Sequence, residues 1–481
     1  MDVSLYLNQL IYLSPEMALT AAVVVAITAH QVFKKRGGAR IAGFLCLAGI
    51  VAAAVALAAM PFSTESVFFG TIILDEFARY FKGLILIVGA ITILLTMSFF
   101  KHLGDEPGEI YYLILMALTG MMLAVSAVEL ITLYISLELF GIISYILAGI
   151  FKKELRSAEA GIKYFILGIV SSSIILLGMS IIYAITGQTF IKQLPELVLH
   201  SDRHLVLAGM SLIFAGLFFK IALVPFHMWT PDVYEGAPTP VVVMFSTAPK
   251  AAAFGVLMRL IVTIFSPVET DWHIILSGIA IVSMFWGNIA ALMQDNIKRM
   301  LAYSSIAHAG YIMIGVTVRG ELGTMALLFY LAMYVIMNAA AFSMVLLIRK
   351  PGVFGEKIED FRGLARQSPF MAACLVIILL SLTGMPPTAG FIGKYYLFAA
   401  AIGKGAWYLA VSGALNSVIS LFYYFRIGRA MFMEPASGDD HTRGNYLVKT
   451  AIGVFTAAVL VVGILPSRLT DFLASITRIG N

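Results

Sequence analysis

The chain has 481 residues, of which 60% are hydrophobic and only 12% are charged, and its formal net charge is +5. This composition excludes a soluble globular protein, because long apolar stretches recur along the whole chain. The stretches are continuous and lack period-two alternation, which also excludes a transmembrane β-barrel. We therefore expect an all-α membrane protein with many spans.

The apolar stretches predict about 14 transmembrane helices, joined mostly by short loops. In chain order they lie near residues 12–33, 41–60, 74–100, 110–127, 128–150, 157–185, 203–224, 240–263, 273–293, 298–318, 323–349, 369–399, 406–432 and 446–466. The first stretch has no basic leader and no small-residue cleavage site, so we expect it to remain as a span.

Lysine and arginine concentrate in alternate loops, at residues 34–40, 152–156, 298–299, 349–366 and 426–449. By the positive-inside rule these loops are cytoplasmic, and both termini then face the outer side. The positive net charge is explained by this topology and gives no indication of nucleic-acid binding.

Helices 4–8 and 9–13 form two sets of five helices of similar length, each with a discontinuous helix in its fourth place. Because five is an odd number, the two sets begin on opposite sides of the membrane, and we expect inverted repeats. The predicted division is an N-terminal three-helix segment at 1–109, a first repeat at 110–263, a second repeat at 264–432, and a C-terminal helix and tail at 433–481.

The two discontinuous helices are predicted from prolines and glycines. In LFFKIALVPFHMWTPDVYEGAPTP the prolines follow Lys220 within a few turns, and in SLTGMPPTAGFIGKYYLF they precede Lys394. Proline removes an amide donor and clashes with the preceding turn, so it frees carbonyl groups where the helix opens. Pro249, directly before Lys250, predicts a further kink in the eighth span.

Five ionisable residues lie within apolar stretches: Glu138, Lys163, Lys220, Lys250 and Lys394. Each such group costs about 3 kcal/mol at the centre of a membrane helix, so a chain that keeps several must house them in a polar interior. This pattern favours a path for protons or cations. The structural alternative is a set of buried salt bridges, and Lys163 is close enough to its helix end to reach the surface.

Charged residues also gather near the outer end of the third span. Arg79 and Lys82 follow Asp75 and Glu76 at helical spacing, which predicts a local ion cluster at the membrane interface. Arg259 lies near the outer end of the eighth span, and we expect its side chain to extend to the interface.

The strings LFFKIALVPFHMWTPDVYEGAPTPV, LAYSSIAHAGY and FRGLARQSPFMAACLVIILLSLTGMPPTAGFIGKYYLF resemble the antiporter-like membrane subunits of proton-pumping NADH–quinone oxidoreductase, respiratory complex I. The resemblance extends from about the third helix to the thirteenth. It is greatest to the N type of subunit, because the chain ends soon after its last span and has Lys394 where the M type usually has glutamate.

The resemblance implies that Glu138, Lys220, Lys250 and Lys394 transfer protons along the membrane plane, with Lys163, His227 and His308 as further candidates. It implies a non-redox subunit of a translocase in a bacterial inner membrane, assembled with the other subunits of complex I. NADH, FMN, iron–sulfur clusters and quinone are then expected in those partners. We expect no cofactor or metal on this chain, since Cys46 and Cys374 are far apart and no CxxC occurs.

Two other functions are compatible with the same charged residues. One is a subunit of a multi-subunit cation/proton antiporter, and the other is a membrane subunit of a membrane-bound hydrogenase. For the two histidines the structural alternative is a core position, in which the ring is hydrogen-bonded to its neighbours.

Overall fold

The computed structural model describes residues 9–34, 37–61, 65–103, 106–350, 353–354, 356–435 and 446–477. Its α-helices are α1 (Ser14–Val32), α2 (Gly38–Ala59), α3 (Glu76–Leu103), α4 (Glu109–Ser126), α5 (Leu130–Ala148), α6 (Leu155–Thr186), α7 (Leu194–His200), α8 (Arg203–Ile221), α9 (Trp229–Gly236), α10 (Thr239–Phe245), α11 (Ala248–Thr263), α12 (Glu269–Leu292), α13 (Ile297–Val318), α14 (Gly320–Ser343), α15 (Leu364–Gln367), α16 (Pro369–Thr383), α17 (Ala389–Gly403), α18 (Trp407–Met433), α19 (Tyr446–Ile464) and α20 (Ser467–Ile476).

Short elements complete the described chain. Single 3-10 turns occupy Leu10–Leu13, Ile191–Gln193, Ser266–Val268 and Ile358–Phe361. Between α14 and α15, the strand β1 (Arg349–Lys350) pairs antiparallel with β2 (Val353–Phe354).

The predicted all-α membrane fold is confirmed. Among the described residues, 13 helical segments are long and apolar enough to cross a membrane. The remaining predicted span, 369–399, is divided between α16 and α17, each 15 residues long. The boundaries proposed for the four parts of the chain stay a prediction.

Both predicted discontinuous helices are broken where proline and glycine occur. Helix α8 ends at Ile221 and is followed by Ala222 in the left-handed region, before the chain resumes in α9. Helix α16 ends at Thr383 and is followed by Gly384, also left-handed, before α17. The kink predicted at Pro249 is observed as the interruption between α10 and α11.

Burial distinguishes a central group of helices from a peripheral one. Helices α10, α11, α13 and α14 are almost wholly buried, whereas α1, α6 and α19 expose much of their apolar surface. Exposed large apolar side chains at the periphery suit lipid or neighbouring subunits. The central helices are also those that carry Lys250 and His308.

Two ion pairs correct the expectation of a local cluster at the third span. Lys82 is fully buried and pairs across helices with Glu16 of α1, with Nζ and Oε1 2.7 Å apart. Arg259 does not extend to the interface; its guanidinium donates two hydrogen bonds, of 2.8 and 2.9 Å, to Asp75. Spacing along one helix could not reveal these partners, because they come from other helices.

Candidate functional site

Lys220 and Glu138 meet in the first predicted repeat. Lys220 lies two residues before the break after α8, and its Nζ is 3.9 Å from Oε1 of Glu138 on α5. Nζ also donates a 3.4 Å hydrogen bond to the Leu137 carbonyl and lies 5.1 Å from the centre of the Phe140 ring. The lysine is buried and the carboxylate partly exposed, so a charged pair stands at the edge of the protein interior.

The carboxylate of Glu138 has a second partner, because Ser172 of α6 donates a hydrogen bond to it. Glu138 on α5 is thereby held between Ser172 on α6 and Lys220 on α8, near the break that follows α8. A carboxylate fixed in this way can respond to a change in charge at Lys220 without a large movement.

Lys250 lies at the start of α11, just after the interruption that Pro249 marks. Its Nζ donates to the backbone carbonyl and to Oγ of Ser305 on α13, both at 2.9 Å. The side chain is 1% exposed. Unlike Lys220, Lys250 is therefore held by neutral oxygens, one of which belongs to a hydroxyl that can both accept and donate.

His308 lies one turn after Ser305 on α13 and is fully enclosed. Its Nδ1 is 2.8 Å from the hydroxyl of Tyr330, and its Nε2 is 3.4 Å from the hydroxyl of Tyr424. The Tyr424 hydroxyl is also hydrogen-bonded to Ser304. The ring of His308 is 5.8 Å from that of Tyr311, which Lys394 contacts, and Ser305, one turn earlier on α13, holds Lys250, so His308 lies near both lysines.

Lys394 lies on α17, and its side chain reaches the break between α16 and α17 in the second predicted repeat. Its Nζ donates a 2.8 Å hydrogen bond to the carbonyl of Thr383, the last residue of α16, and a 3.0 Å bond to Oγ of Ser417 on α18. A cation is favoured at the carboxyl end of a helix, where carbonyls are unpaired. Nζ also lies 4.1 Å from the centre of the Tyr311 ring.

Five of the predicted residues thus fall into two groups, which together we name the polar row: Glu138, Lys220, Lys250, His308 and Lys394. Glu138 and Lys220 form the first group through direct contact. Lys250, His308 and Lys394 form the second, in which each residue is hydrogen-bonded to a serine or tyrosine hydroxyl. Hydroxyl groups can accept one proton while donating another, so the second group can support proton transfer.

Lys163 lies apart from the polar row. Its Nζ is 2.7 Å from Glu159 and 2.7 Å from Asp232, and its side chain is 42% exposed. Asp232 also pairs with Arg299 at 2.7 Å, which in turn pairs with Glu235. These residues line a cavity of about 200 Å³ beside α9. A role for Lys163 in proton transfer stays a prediction.

His227 lies in the segment between α8 and α9 and is buried. Its ring centre is 6.0 Å from that of Trp286. This is a position beside Lys220 along the chain, but no hydrogen bond between His227 and the polar row is found among the described residues. Its part as a proton carrier stays a prediction.

The chain matches the family model for the transmembrane region of NADH:quinone oxidoreductases and Mrp antiporters over residues 127–420. It is 41% identical to NADH-quinone oxidoreductase subunit N of Trichlorobacter lovleyi, over 89% of each chain. The chain belongs to this family. The resemblance expected from its sequence motifs is confirmed, and all five residues of the polar row lie within the matched region.

Solved structures agree with this assignment. A chain of respiratory complex I from Thermus thermophilus, determined with bound Aureothin, is similar at a TM-score of 0.81 and 31% identity, over 96% of this chain and 99% of that one. A chain of the Mrp complex from Dietzia is similar at 0.80 and 21% identity, over 98% and 97%. At 21% identity, the similarity to the Mrp chain shows a shared fold alone.

Sequence reasoning missed the hydroxyl groups that connect the buried cations, namely Ser172, Ser304, Ser305, Tyr311, Tyr330, Ser417 and Tyr424. A signal was present, since LAYSSIAHAGY places several polar residues inside an apolar helix. Single serines and tyrosines are common in membrane helices, however, and only the packing of α13 against its neighbours shows which of them face the lysines.

No group of three or more histidine, cysteine or carboxylate side chains suited to a metal ion occurs in the part of the chain that the structure describes. Cys46 and Cys374 are both buried and unpaired.

Proposed function

We propose that this chain is a proton-translocating N-type membrane subunit of an NADH–quinone oxidoreductase. The observation that supports this most is the polar row, in which buried cations from α8, α11 and α17 face a carboxylate or hydroxyl groups in place of lipid. Ionisable residues at this depth are costly, so their presence favours a role in charge movement.

The pair of Lys220 and Glu138 supplies a coupling element. While Lys220 carries its proton, the two opposite charges stabilise each other across 3.9 Å. If the proton moves on toward Lys250, Glu138 is left with an uncompensated charge in a partly dry site, which is costly. A change of charge near Glu138, on the neighbouring subunit for example, therefore alters how readily Lys220 gives up its proton.

The chain itself carries no redox step in this proposal. Its two cysteines are far apart in sequence, and the described residues contain no group of three or more histidine, cysteine or carboxylate side chains that could help to ligate an iron–sulfur cluster. NADH, FMN, the iron–sulfur clusters and quinone belong to the partner subunits, including those of the peripheral arm. We place the complex in a bacterial inner membrane, with the basic loops in the cytoplasm and both termini outside.

Identity favours this function over a cation/proton antiporter. The N-type relative is 41% identical, whereas the Mrp chain is 21% identical. Sodium-dependent exchange by a complex that lacks NADH- and quinone-reactive subunits would support the antiporter alternative.

The test is Lys220→Met in the assembled complex, reconstituted into vesicles. We expect proton pumping and quinone reduction to fall together by at least about tenfold, because a proton-transfer group typically contributes that much or more. Lys192→Met is the matched control, since Lys192 is exposed outside the spans. Full pumping by a stably assembled Lys220→Met complex would refute the proposal.

A further inference from the structure

Polar residues line the contact between α12 and α18 at three levels. At the outer level, Ser277 and the hydroxyl of Tyr408 are 3.1 Å apart. At the middle level lie Asn288, Asn416 and Tyr423, and at the level of the basic loops Arg426 pairs with Asp295. We call this contact the α12–α18 seam. None of its residues belongs to the polar row.

The middle level of the seam is a buried amide pair with a phenol. Asn288 Nδ2 donates to Oδ1 of Asn416 at 3.0 Å, and the Tyr423 hydroxyl donates to Oδ1 of Asn288 at 2.9 Å. All three side chains are fully enclosed. Polar groups at membrane depth are costly unless paired, and apolar side chains would pack two helices at least as well. Such a cluster therefore calls for a functional explanation.

The middle level adjoins Lys394. Asn416 directly precedes Ser417, whose Oγ accepts the hydrogen bond from Lys394 and lies 3.3 Å from the Tyr311 hydroxyl. Polar side chains therefore follow one another from Tyr423 through Asn288 and Asn416 to Ser417 and the lysine at the helix break.

The seam opens into a cavity at the end that bears the basic loops. The cavity has a volume of about 360 Å³ and is lined by Asp295, Lys357, Ile358, Glu359, Arg362, Arg426, Arg429, Ala430 and Glu434. Arg426 bonds Asp295 at 2.6 Å and the Leu292 carbonyl at 2.8 Å. Arg426 lines the cavity and follows Tyr423 by three positions on α18, so about 4.5 Å of helix separates the cavity from the buried cluster. Water can bridge such a distance between polar groups.

The outer end of the seam is less continuous. Tyr408 precedes Ser417 by nine positions on α18, which corresponds to about 13 Å of helix. On the opposite side Arg426 is also nine positions from Ser417, but Tyr423, whose hydroxyl is bonded to Asn288, divides that interval. The polar side chains therefore connect Lys394 with the surface of the basic loops more closely than with the outer surface.

We propose that the α12–α18 seam is a proton-uptake route to Lys394, separate from the path along the polar row, with the 360 Å³ cavity as its mouth. The inference rests on the proposed function, since it gives Lys394 a proton supply of its own. Water in the cavity delivers a proton toward Tyr423. Asn288 and Asn416 hold the hydroxyls in place but do not carry the proton, so in this proposal a water molecule takes it from the Tyr423 hydroxyl and hands it to the Tyr311 hydroxyl. The hydroxyls of Tyr311 and Ser417 then each release one proton as they accept another, and the last proton passes to a neutral Lys394.

Two tyrosines of α18 provide a matched test. Tyr423→Phe and Tyr408→Phe each remove one hydroxyl from the same interface, at its inner and outer level respectively. Proton pumping per quinone reduced is measured in vesicles that contain the purified complex, at neutral pH and at about pH 8.5, where protons are scarcer. We expect Tyr423→Phe to lower this ratio about fivefold, the equivalent of one hydrogen bond, with a larger deficit at the higher pH. Tyr408→Phe should match the unmodified complex.

Asn288→Leu, which removes the amide at similar volume, should reproduce the effect of Tyr423→Phe. A pumping ratio for Tyr423→Phe equal to that of the unmodified complex would overturn the inference, and so would an equal loss in Tyr408→Phe. Lys394→Met, measured in the same way, distinguishes a failure of the seam route from a failure of the proposed function. If Lys394→Met abolishes pumping but Tyr423→Phe does not lower it, the proposed function stands and the seam route fails. If Lys394→Met pumps fully, the proposed function itself fails.

Discussion

At the scale of single residues, the buried lysines differ in their partners. Lys220 faces a carboxylate, whereas Lys250 and Lys394 are held by hydroxyl and carbonyl oxygens. A neutral partner does not fix the charge of a lysine, so Lys250 and Lys394 can exchange a proton without breaking an ion pair. Lys220 cannot, and this makes it the residue at which a change of charge on another subunit has the largest effect.

A second residue-scale feature is the ion pair of Asp75, which directly precedes the span that begins at Glu76, with Arg259. Burial disfavours the ionised form of Asp75, but the charge and the paired hydrogen bonds of Arg259 outweigh it, and the pKa of this carboxyl lies below its ordinary value of 3.8. A lowered pKa means that the folded protein binds the proton less well than the unfolded chain. The stability that Asp75 contributes is therefore fully present above its ordinary pKa and is lost as the pH falls through the folded value.

We predict that thermal stability of the detergent-solubilised chain decreases between about pH 5 and pH 3, and that Asp75→Asn makes this decrease smaller. Asp75→Asn should also lower stability at neutral pH, because it leaves the Arg259 guanidinium without its counter-charge. The measurement is the unfolding midpoint as a function of pH. Glu76→Gln is the control on the adjacent, exposed position and should keep the pH dependence of the unmodified chain. An unchanged slope in Asp75→Asn would contradict the prediction.

The charged residues of the polar row could be predicted individually from the sequence, because an ionisable group in an apolar stretch is conspicuous. The partners of the other buried cations could not. Glu16 for Lys82 and Asp75 for Arg259 are choices of helix packing, and spacing along one helix carries no information about them. The same holds for Lys163, whose sequence environment resembles that of Lys220 but whose side chain lies at a charged surface.

At the scale of elements, the helix breaks position the lysines. The second break depends on a close approach of its two halves: the Gly390 amide donates to Oγ of Ser381, and a Cβ on Gly390 would lie 1.8 Å from the Ser381 carbonyl oxygen. Lys394 follows one turn later on α17. Its position opposite Thr383 therefore requires that residue 390 has no side chain.

We predict that Gly390→Ala lowers stability by about 3 kcal/mol, the usual size of an overpacked core position, and abolishes most proton pumping by displacing Lys394. Thermal unfolding and pumping in vesicles measure the two effects. Gly403→Ala on the same helix is the matched control, since nothing lies within 4 Å of its Cβ position. A Gly390→Ala complex that pumps normally would show that the close approach is dispensable.

The breaks themselves were predictable from proline and glycine, and the structure has them in the expected spans. The residues at which the half-helices end were not predictable, because an apolar stretch such as 369–399 gives no sign of where one half-helix stops. The left-handed residues Ala222 and Gly384 end the first halves, and only Gly384 is of a residue type typical of that conformation, because it lacks a Cβ.

At the scale of the whole molecule, the most buried helices, α10, α11, α13 and α14, include those that carry Lys250 and His308. Helix α8 with Lys220 lies beside them, and α17 with Lys394 on another side. The all-α membrane fold and the family followed from hydropathy and motifs. What fills the space between Lys220 and Lys250 could not be predicted from the sequence, because it depends on how side chains of several helices pack.

What fills that space decides whether the two groups of the polar row act as one path. The most direct measurement is a density map of the assembled complex at a resolution that shows ordered water. Our account predicts water molecules hydrogen-bonded in sequence between Lys220 and Lys250, continued by the hydroxyls around His308 to Lys394. Tightly packed apolar side chains between Lys220 and Lys250, with no water in any state of the working complex, would contradict it.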